Sequence, residues 1–318
     1  MDTGNPNTRS TIFDKRQKSG NKSLLTEQEK SMIRQRLASI NPLSDKAFKI
    51  ALSNEEFFTL ITEEILGRKL SEGLISYNGE IVFTAKGKEV RLDNLRKFTK
   101  EWVDLEGQQR TEDFPFERHL FYWASIYAQG IDAGMDYAQL LPVTVIVIYK
   151  DRGDIPVIEV SGLSGMLPIR AQKNKHLQLV AVNAAKWKEA KTDILKTYLA
   201  YLHHGLLDKE KPELFEGLDL TSKVNRGIRE TLRKSCGHSL IEHFKQEGDD
   251  RMEKLTLGFL TEEEKEEAKI EGKIEGKIEG KIEGKIEVLY YNFNFSPEKI
   301  AEELRMPIVQ VRAIIENL

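Results

Sequence analysis

The stretch of this chain with the greatest capacity for chemistry is VRLDNLRKFTKEWVDLEGQQ, residues 90–109. Read as a strand, 102–108 sends successive side chains to opposite faces. Trp102, Asp104, Glu106 and Gln108 then share one face, and Val103 and Leu105 take the other. Asp93 stands thirteen residues before Glu106, at the end of the preceding strand run, and a hairpin between them would bring its carboxylate against Glu106. Two carboxylates meeting at a strand end form a hard-oxygen site suited to Mg²⁺ or Mn²⁺, ions that take one or two protein carboxylates and leave other positions to water and phosphate. Such an ion polarises a scissile phosphate and lowers the pKa of a bound water. Gln108, two residues beyond Glu106, would position that water or meet developing charge. Without further context, the pair reads more simply as solvent-facing carboxylates on an edge hairpin.

The elements that must position these residues can be read on either side. Thr26 with Glu29 makes a capping-box pattern ahead of a helix through about Ile40, and Asn41-Pro42 breaks it. DKAFKIALSNEEFFTLITEEILG then places Phe48, Ala51 and Leu52 on one apolar stripe, with Phe57, Leu60, Ile61, Ile65 and Leu66 continuing it after Ser53-Asn54. That is a pair of amphipathic helices ending at Gly67. Residues 74–109 alternate over short runs with Asn78-Gly79 and Lys86-Gly87-Lys88 as turns, a strand-and-hairpin grammar. A helix is expected at about 114–130, and a strand buried on both faces at PVTVIVIY, 142–149. Further strands are expected at 156–160 and 176–182, followed by helices at roughly 186–204, 222–247 and 249–259. This order predicts an α/β fold, a mixed central sheet flanked by helices, with an all-helical C-terminal extension.

The divisions that follow are a disordered basic tail at 1–23, an α/β domain at 24–205 and a helical extension at 206–268. A KIEG low-complexity repeat at 269–288 and a small helical hairpin at 289–318 complete the chain. A repeat of four against 3.6 residues per turn makes the stripe Ile270, Ile274, Ile278, Ile282, Ile286 drift about 40° per repeat. Each interposed glycine costs ~1 kcal/mol relative to alanine, and like charges fall at i,i+4. Alone the segment makes a marginal helix, suited equally to a spacer and to a helix stabilised by a partner surface. In the last segment Ser296 caps a first short helix, Pro297 sits in its first turn and Pro307 separates a second. Its few cations fit a docking or dimerisation hairpin, and so a homo-oligomer through the C-terminal helices, better than a helix-turn-helix reader of DNA.

Asp93 followed by Glu106-Gly107-Gln108 resembles the signature of PD-(D/E)XK phosphodiesterases, in which an aspartate is followed by (Asp/Glu)-x-Lys on the next strand. Gln108 replaces the lysine, and this Glu-x-Gln variant is similar to the transposase-like, recombination-promoting branch of that superfamily. NPLSDKAFKIALSNEEFFTLITEEILG resembles the opening motif of the branch, an Asn-Pro followed by Asp-x-x-Phe-Lys. PFERHLFYWASIYAQGI resembles its helix after the site, with Arg118, Tyr122 and Tyr127 at matching places. The likeness covers about 41–200 in motif order and 261–318 in style. It implies a restriction-endonuclease-like core and a Mg²⁺-dependent (or Mn²⁺- or Ca²⁺-dependent) DNA endonuclease linked to recombination or mobile elements. Asp93, Glu106 and Gln108 would be its catalytic residues and Asp93 and Glu106 its metal ligands. An extra acidic ligand would come from a helix, Glu64 or else Asp45, and Arg118, Lys173 and Lys175 would contact nucleic acid. A neutral amide at 108 cannot supply a lysine's charge, so two rivals stay open. One is a catalytically inactive nuclease fold that binds DNA, the other a helical interaction protein in which 90–109 is merely a hairpin.

Composition narrows the setting. The chain has 318 residues, 40% hydrophobic and 31% charged, enough for a sizeable core. It has no run of about 18 apolar residues to span a membrane, and its first residues lack the apolar region of a secretory signal. A single cysteine, Cys236, excludes an internal disulfide and a thiolate zinc cage, which fits a reducing cytoplasm. The net charge of −3 hides an uneven distribution: residues 161–200 carry seven Lys/Arg against Glu189 and Asp193, a segment able to contact phosphates. The six histidines form no metal pattern, and the KIEG glycines lack the ending of a P-loop.

Overall fold

A run such as VTVIVIY, β-branched at nearly every position, cannot present a polar face, so it must sit inside a sheet covered on both sides. In the computed structural model it is the central strand β5 (Val143–Tyr149), buried at all seven positions. The structure describes residues 25–71, 82–85, 88–109, 115–131, 134–162, 176–293, 295–304 and 306–316. The tail expected at 1–23 and the strand expected near 74–77 lie outside them.

Three helices come first: α1 (Glu27–Ser39), α2 (Asp45–Ser53) and α3 (Glu55–Leu66). The Thr26/Glu29 capping box is formed, and α3 stops where Gly67 takes a left-handed φ of 64°. A two-stranded hairpin, β1 (Val82–Ala85) with β2 (Lys88–Arg91), precedes β3 (Asn94–Lys97) and β4 (Trp102–Gln108). After α4 (Pro115–Gln129) and β5 come β6 (Ile158–Gly162) and β7 (Leu177–Asn183). The main sheet has the order β3-β4-β5-β7-β6, with β4, β5 and β7 parallel and the two outer strands antiparallel to their neighbours. This is the expected mixed sheet flanked by helices, a restriction-endonuclease-like α/β fold.

Register decides which residues share a face. Trp102, Glu106 and Gln108 lie opposite Val143, Val147 and Tyr149. That face is covered by α4, whose Tyr122 and Ile126 are buried in one cluster with Trp102, Val145 and Leu179. The Trp123 indole N–H reaches the carbonyls of Val143 and His176, both at 3.2 Å, and so ties α4 to the entry of β5 and β7. On the other face Arg96, 2% exposed, donates to the carbonyls of Leu52 and Ser53 at 2.7 and 3.2 Å and thereby satisfies the end of α2.

The helix expected from about 186 is divided. A 3₁₀ segment, Ala184–Glu189, is capped by the Asn183 side chain, and α5 (Asp193–His204) starts only after Thr192, which caps it in turn. α6 (Lys223–Glu247) follows and packs against α1, α2 and α5. The chain divides into two compact units, residues 24–257 and a second that contains 258–318. α7 (Asp250–Glu287) has residues in both and includes the KIEG repeat, which is helical throughout. Within the second unit, α8 (Pro297–Leu304) and α9 (Ile308–Ile315) pack together, and Ile300 and Val311 close on Ile286 with Ile282 alongside. The last turns of the repeat thus bury isoleucines against the chain's own hairpin.

Candidate active site

Asp93 sits in the bend between β2 and β3, one residue before the pair Asn94–Leu105 that begins the β3–β4 ladder. That step places it beside Glu106, and backbone amides lock the two together. The Asp93 N–H donates to Glu106 Oε1 at 2.9 Å, and the Gly107 N–H donates to Asp93 Oδ2 at 3.1 Å. Both carboxylates therefore converge, each with one oxygen spent on the backbone. The other Asp93 oxygen, Oδ1, faces the Lys49 ammonium at 3.3 Å. Gln108 follows on the same face, half-buried, its main-chain carbonyl accepting from the Lys150 N–H at 2.9 Å.

The electrostatics are those of acids crowded out of water. Burial raises the pKa of Glu106 well above the usual carboxylate range, and repulsion from Asp104 and Asp93 adds to it. Burial likewise raises Asp93, with the Gly107 amide and the Lys49 charge opposing. Asp104, on the same face, is fully buried beside Glu106. Burial pushes it to about 7, and Asp93 pushes in the same direction. Such a cluster is costly without a compensating cation. Among the described residues, however, no three His, Cys, Asp or Glu side chains are arranged as a metal cage. The donor set that fits a divalent ion is thus two carboxylates, with water and phosphate completing the shell.

The opening motif supplies a second layer that its sequence only hinted at. Lys49 bridges Asp45 Oδ1 at 2.9 Å and Asp93 Oδ1 at 3.3 Å. Phe48, the neighbouring residue on α2, packs where a side chain at 107 would be: a Cβ on Gly107 would stand 3.0 Å from Phe48 Cδ1 and 3.2 Å from Leu43 Cδ1. A glycine between Glu106 and Gln108 is therefore the residue that fits without displacing Phe48 and Leu43 on the far face of the sheet. The i,i+4 spacing of Asp45 and Lys49 was the available signal, but its target on another strand was not legible.

The remaining candidates fall in different places. Arg118 on α4 is exposed, donates from Nε to the Tyr122 hydroxyl at 2.8 Å and lies 5.3 Å over that ring, at the edge of the site. Burial raises the Tyr122 phenol, Arg118 opposing and Glu106 and Asp93 reinforcing, which places α4 beside the acids. Glu64 is turned to α5, where its carboxylate accepts from the Thr192 hydroxyl. Ser44 holds the N-cap position of α2, and Asp45 pairs with Lys49 from the first turn. Lys173 and Lys175 lie outside the described residues.

The family model described as PD-(D/E)XK nuclease family transposase matches residues 42–230, more than half of the chain, from the Asn-Pro motif into α6. No curated protein and no solved structure matches the chain. The span of that match takes in α2, the Asp93–Glu106 pair, α4 and the central sheet, and the chain belongs to the PD-(D/E)XK nuclease family of transposases.

Proposed function

We propose that the protein is a metal-dependent DNA endonuclease linked to recombination or mobile elements. The observation that carries this reading is the reciprocal locking of Asp93 and Glu106, which holds two carboxylates side by side on β4 and the bend before β3. Asp93 and Glu106 would hold Mg²⁺, or Mn²⁺ or Ca²⁺ in its place. The ion, when bound, supplies a polarised phosphate and an acidified water. Gln108 orients that water through its amide, which hydrogen-bonds but carries no charge to offset a developing oxyanion. Lys49 fixes the Asp93 carboxylate from α2, and Arg118 stands at the rim as a phosphate contact, with Lys173 and Lys175 assigned to DNA on sequence grounds alone. Among the described residues no helix is long and apolar enough to cross a membrane. We assign the protein to the cytoplasm on its cysteine usage and propose self-association through the C-terminal hairpin.

The test is nicking of supercoiled plasmid with Mg²⁺, Mn²⁺ or Ca²⁺ by wild type beside Asp93→Ala. Metal-dependent nicking that disappears in the variant supports the reading. Equal nicking by both would assign the activity to another site or a contaminant. A second reading, a nuclease fold that binds DNA without cutting it, is favoured by one observation, the absence of a lysine at 108. It predicts DNA retention in a gel shift with no nicking under any of the three metals.

A further inference from the structure

His119 is the least explained side chain of the first unit. It lies on α4, one residue from Arg118, and is 4% exposed. Neither ring nitrogen has a hydrogen-bond partner. A buried polar atom left unpaired is costly, and this imidazole presents two of them to whatever enters beside it. The ring lines a cavity of about 180 Å³ between α4 and the sheet. Val147 and Leu179 give it apolar walls, and Tyr149, Arg152, Glu159 and Ser161 contribute polar groups.

Its position relative to the carboxylates follows from register. Val147 pairs with Glu106 and Tyr149 with Gln108, while Ala181 pairs with Val147 and Glu159 with Ala181. The cavity therefore opens on the same face of the sheet as Glu106 and Gln108, one strand further along. Tyr122 links the two places: its ring meets His119 edge-on at 5.9 Å, and its phenol senses the charge of Glu106 and Asp93.

The walls are also held in advance. Asn183, fully buried at the end of β7, donates to the carbonyls of Arg152 and Ile155 and accepts from the Arg152 N–H at 3.2 Å. The loop carrying Arg152 is thereby fixed beside Tyr149, with the guanidinium 5.0 Å over that ring.

We propose that this cavity is a subsite for one nucleobase turned out of the nucleic acid whose backbone lies at Asp93 and Glu106. A base has flat apolar faces for Val147 and Leu179 and an edge that both donates and accepts, which is what a neutral imidazole with two unpaired nitrogens requires. Enzymes that hold an unstacked base use the same combination of apolar walls and edge hydrogen bonds. The proposal rests on the nuclease reading for its source of bases but not for its contacts.

The test uses the full chain without added metal and reads the His119 imidazole ¹⁵N resonances, assigned by their loss in His119→Phe. Each of the four deoxynucleoside 5′-monophosphates is titrated, with inorganic phosphate and deoxyribose 5-phosphate as controls. At least one nucleotide should shift the His119 signals saturably, and both controls should leave them in place. Leu179→Phe, which fills the cavity but keeps His119, should weaken that nucleotide about tenfold or more. Absence of any shift, an equal shift with phosphate alone, or full binding by Leu179→Phe overturns the subsite. The same titration on Asp93→Ala separates the two readings. A shift that persists there while wild type fails to nick plasmid sinks the nuclease and leaves the subsite. Asp93-dependent nicking with no nucleotide shift does the reverse.

Discussion

At the scale of single residues, Gln108 and Gly107 make opposite demands. If Gln108 orients the attacking water, Gln108→Ala should slow nicking without abolishing it, because the metal ligands stay. Gln108→Lys should keep or raise the rate, since an ammonium beside the developing oxyanion restores charge. Glu106→Ala should abolish cleavage while leaving phosphate-driven DNA binding largely intact. Nicking rates on these three variants, with a gel-shift control, decide the matter, and a Gln108→Lys protein that cuts far more slowly than Gln108→Ala would remove Gln108 from the water's side. Gly107→Ala tests packing instead of chemistry. Its Cβ would meet the Phe48 ring at 3.0 Å, inside a buried contact that cannot give far. Overpacking of this kind costs about 1–3 kcal/mol, and the strand that carries Glu106 and Gln108 must shift to relieve it. Lower thermal stability together with reduced nicking is expected, whereas unchanged melting would show that Phe48 rotates away freely.

At the scale of elements, α2 is a clamp on the site. It presses Phe48 onto β4 from one face and sends Lys49 to Asp93, so one helix sets both the height of the strand and the charge beside the acid. Lys49→Met keeps the stem and removes the cation. The Asp93 carboxylate then loses its only counterweight outside the backbone among the causes acting on it, and metal-free stability should fall by about 1–2 kcal/mol. A bound divalent ion supplies the missing charge, so the loss of melting temperature should be larger in EDTA than in saturating Mn²⁺. An equal loss in both would make Lys49 a packing residue. Much of this arrangement was legible in the sequence. Period-two alternation placed Glu106 and Gln108 on one face, and the uninterrupted β-branched run identified the central strand. What was not legible depends on contacts between distant elements. Nothing local says that Lys49 reaches Asp93, that Glu64 is taken by Thr192 at the cap of α5, or that Asp104 is sealed inside. The KIEG repeat shows the same limit: its drifting stripe announces a marginal helix, and only the packing of Ile282 and Ile286 on the hairpin shows where its last turns are buried.

At the scale of the whole molecule, two buried sets of titratable groups pull stability in opposite directions with pH. The acids have raised folded pKa values, so their contribution is fully present at low pH and is lost as pH rises, for Asp104 through about 7. His119 behaves in the reverse sense. Burial lowers it to about 4, with Arg118 and Arg152 repelling its charged form. An unfolded imidazole titrates near 6.5, so between those values the unfolded chain binds more protons. The His119 contribution is therefore present above about 6.5 and disappears as pH falls toward 4. Raw stability curves mix these effects, but the difference between wild type and His119→Phe does not, because both chains carry the same acids. Going from about pH 7.5 to about pH 5, wild type should lose about 2 kcal/mol relative to His119→Phe, measured by urea unfolding at each pH. The phenylalanine keeps ring contacts with Tyr122 and Tyr149, so the comparison isolates the proton from the packing. A difference that stays constant with pH would mean that His119 titrates in the folded chain as it does in the unfolded one, and it would take from the nucleobase subsite the neutral imidazole on which that subsite is built.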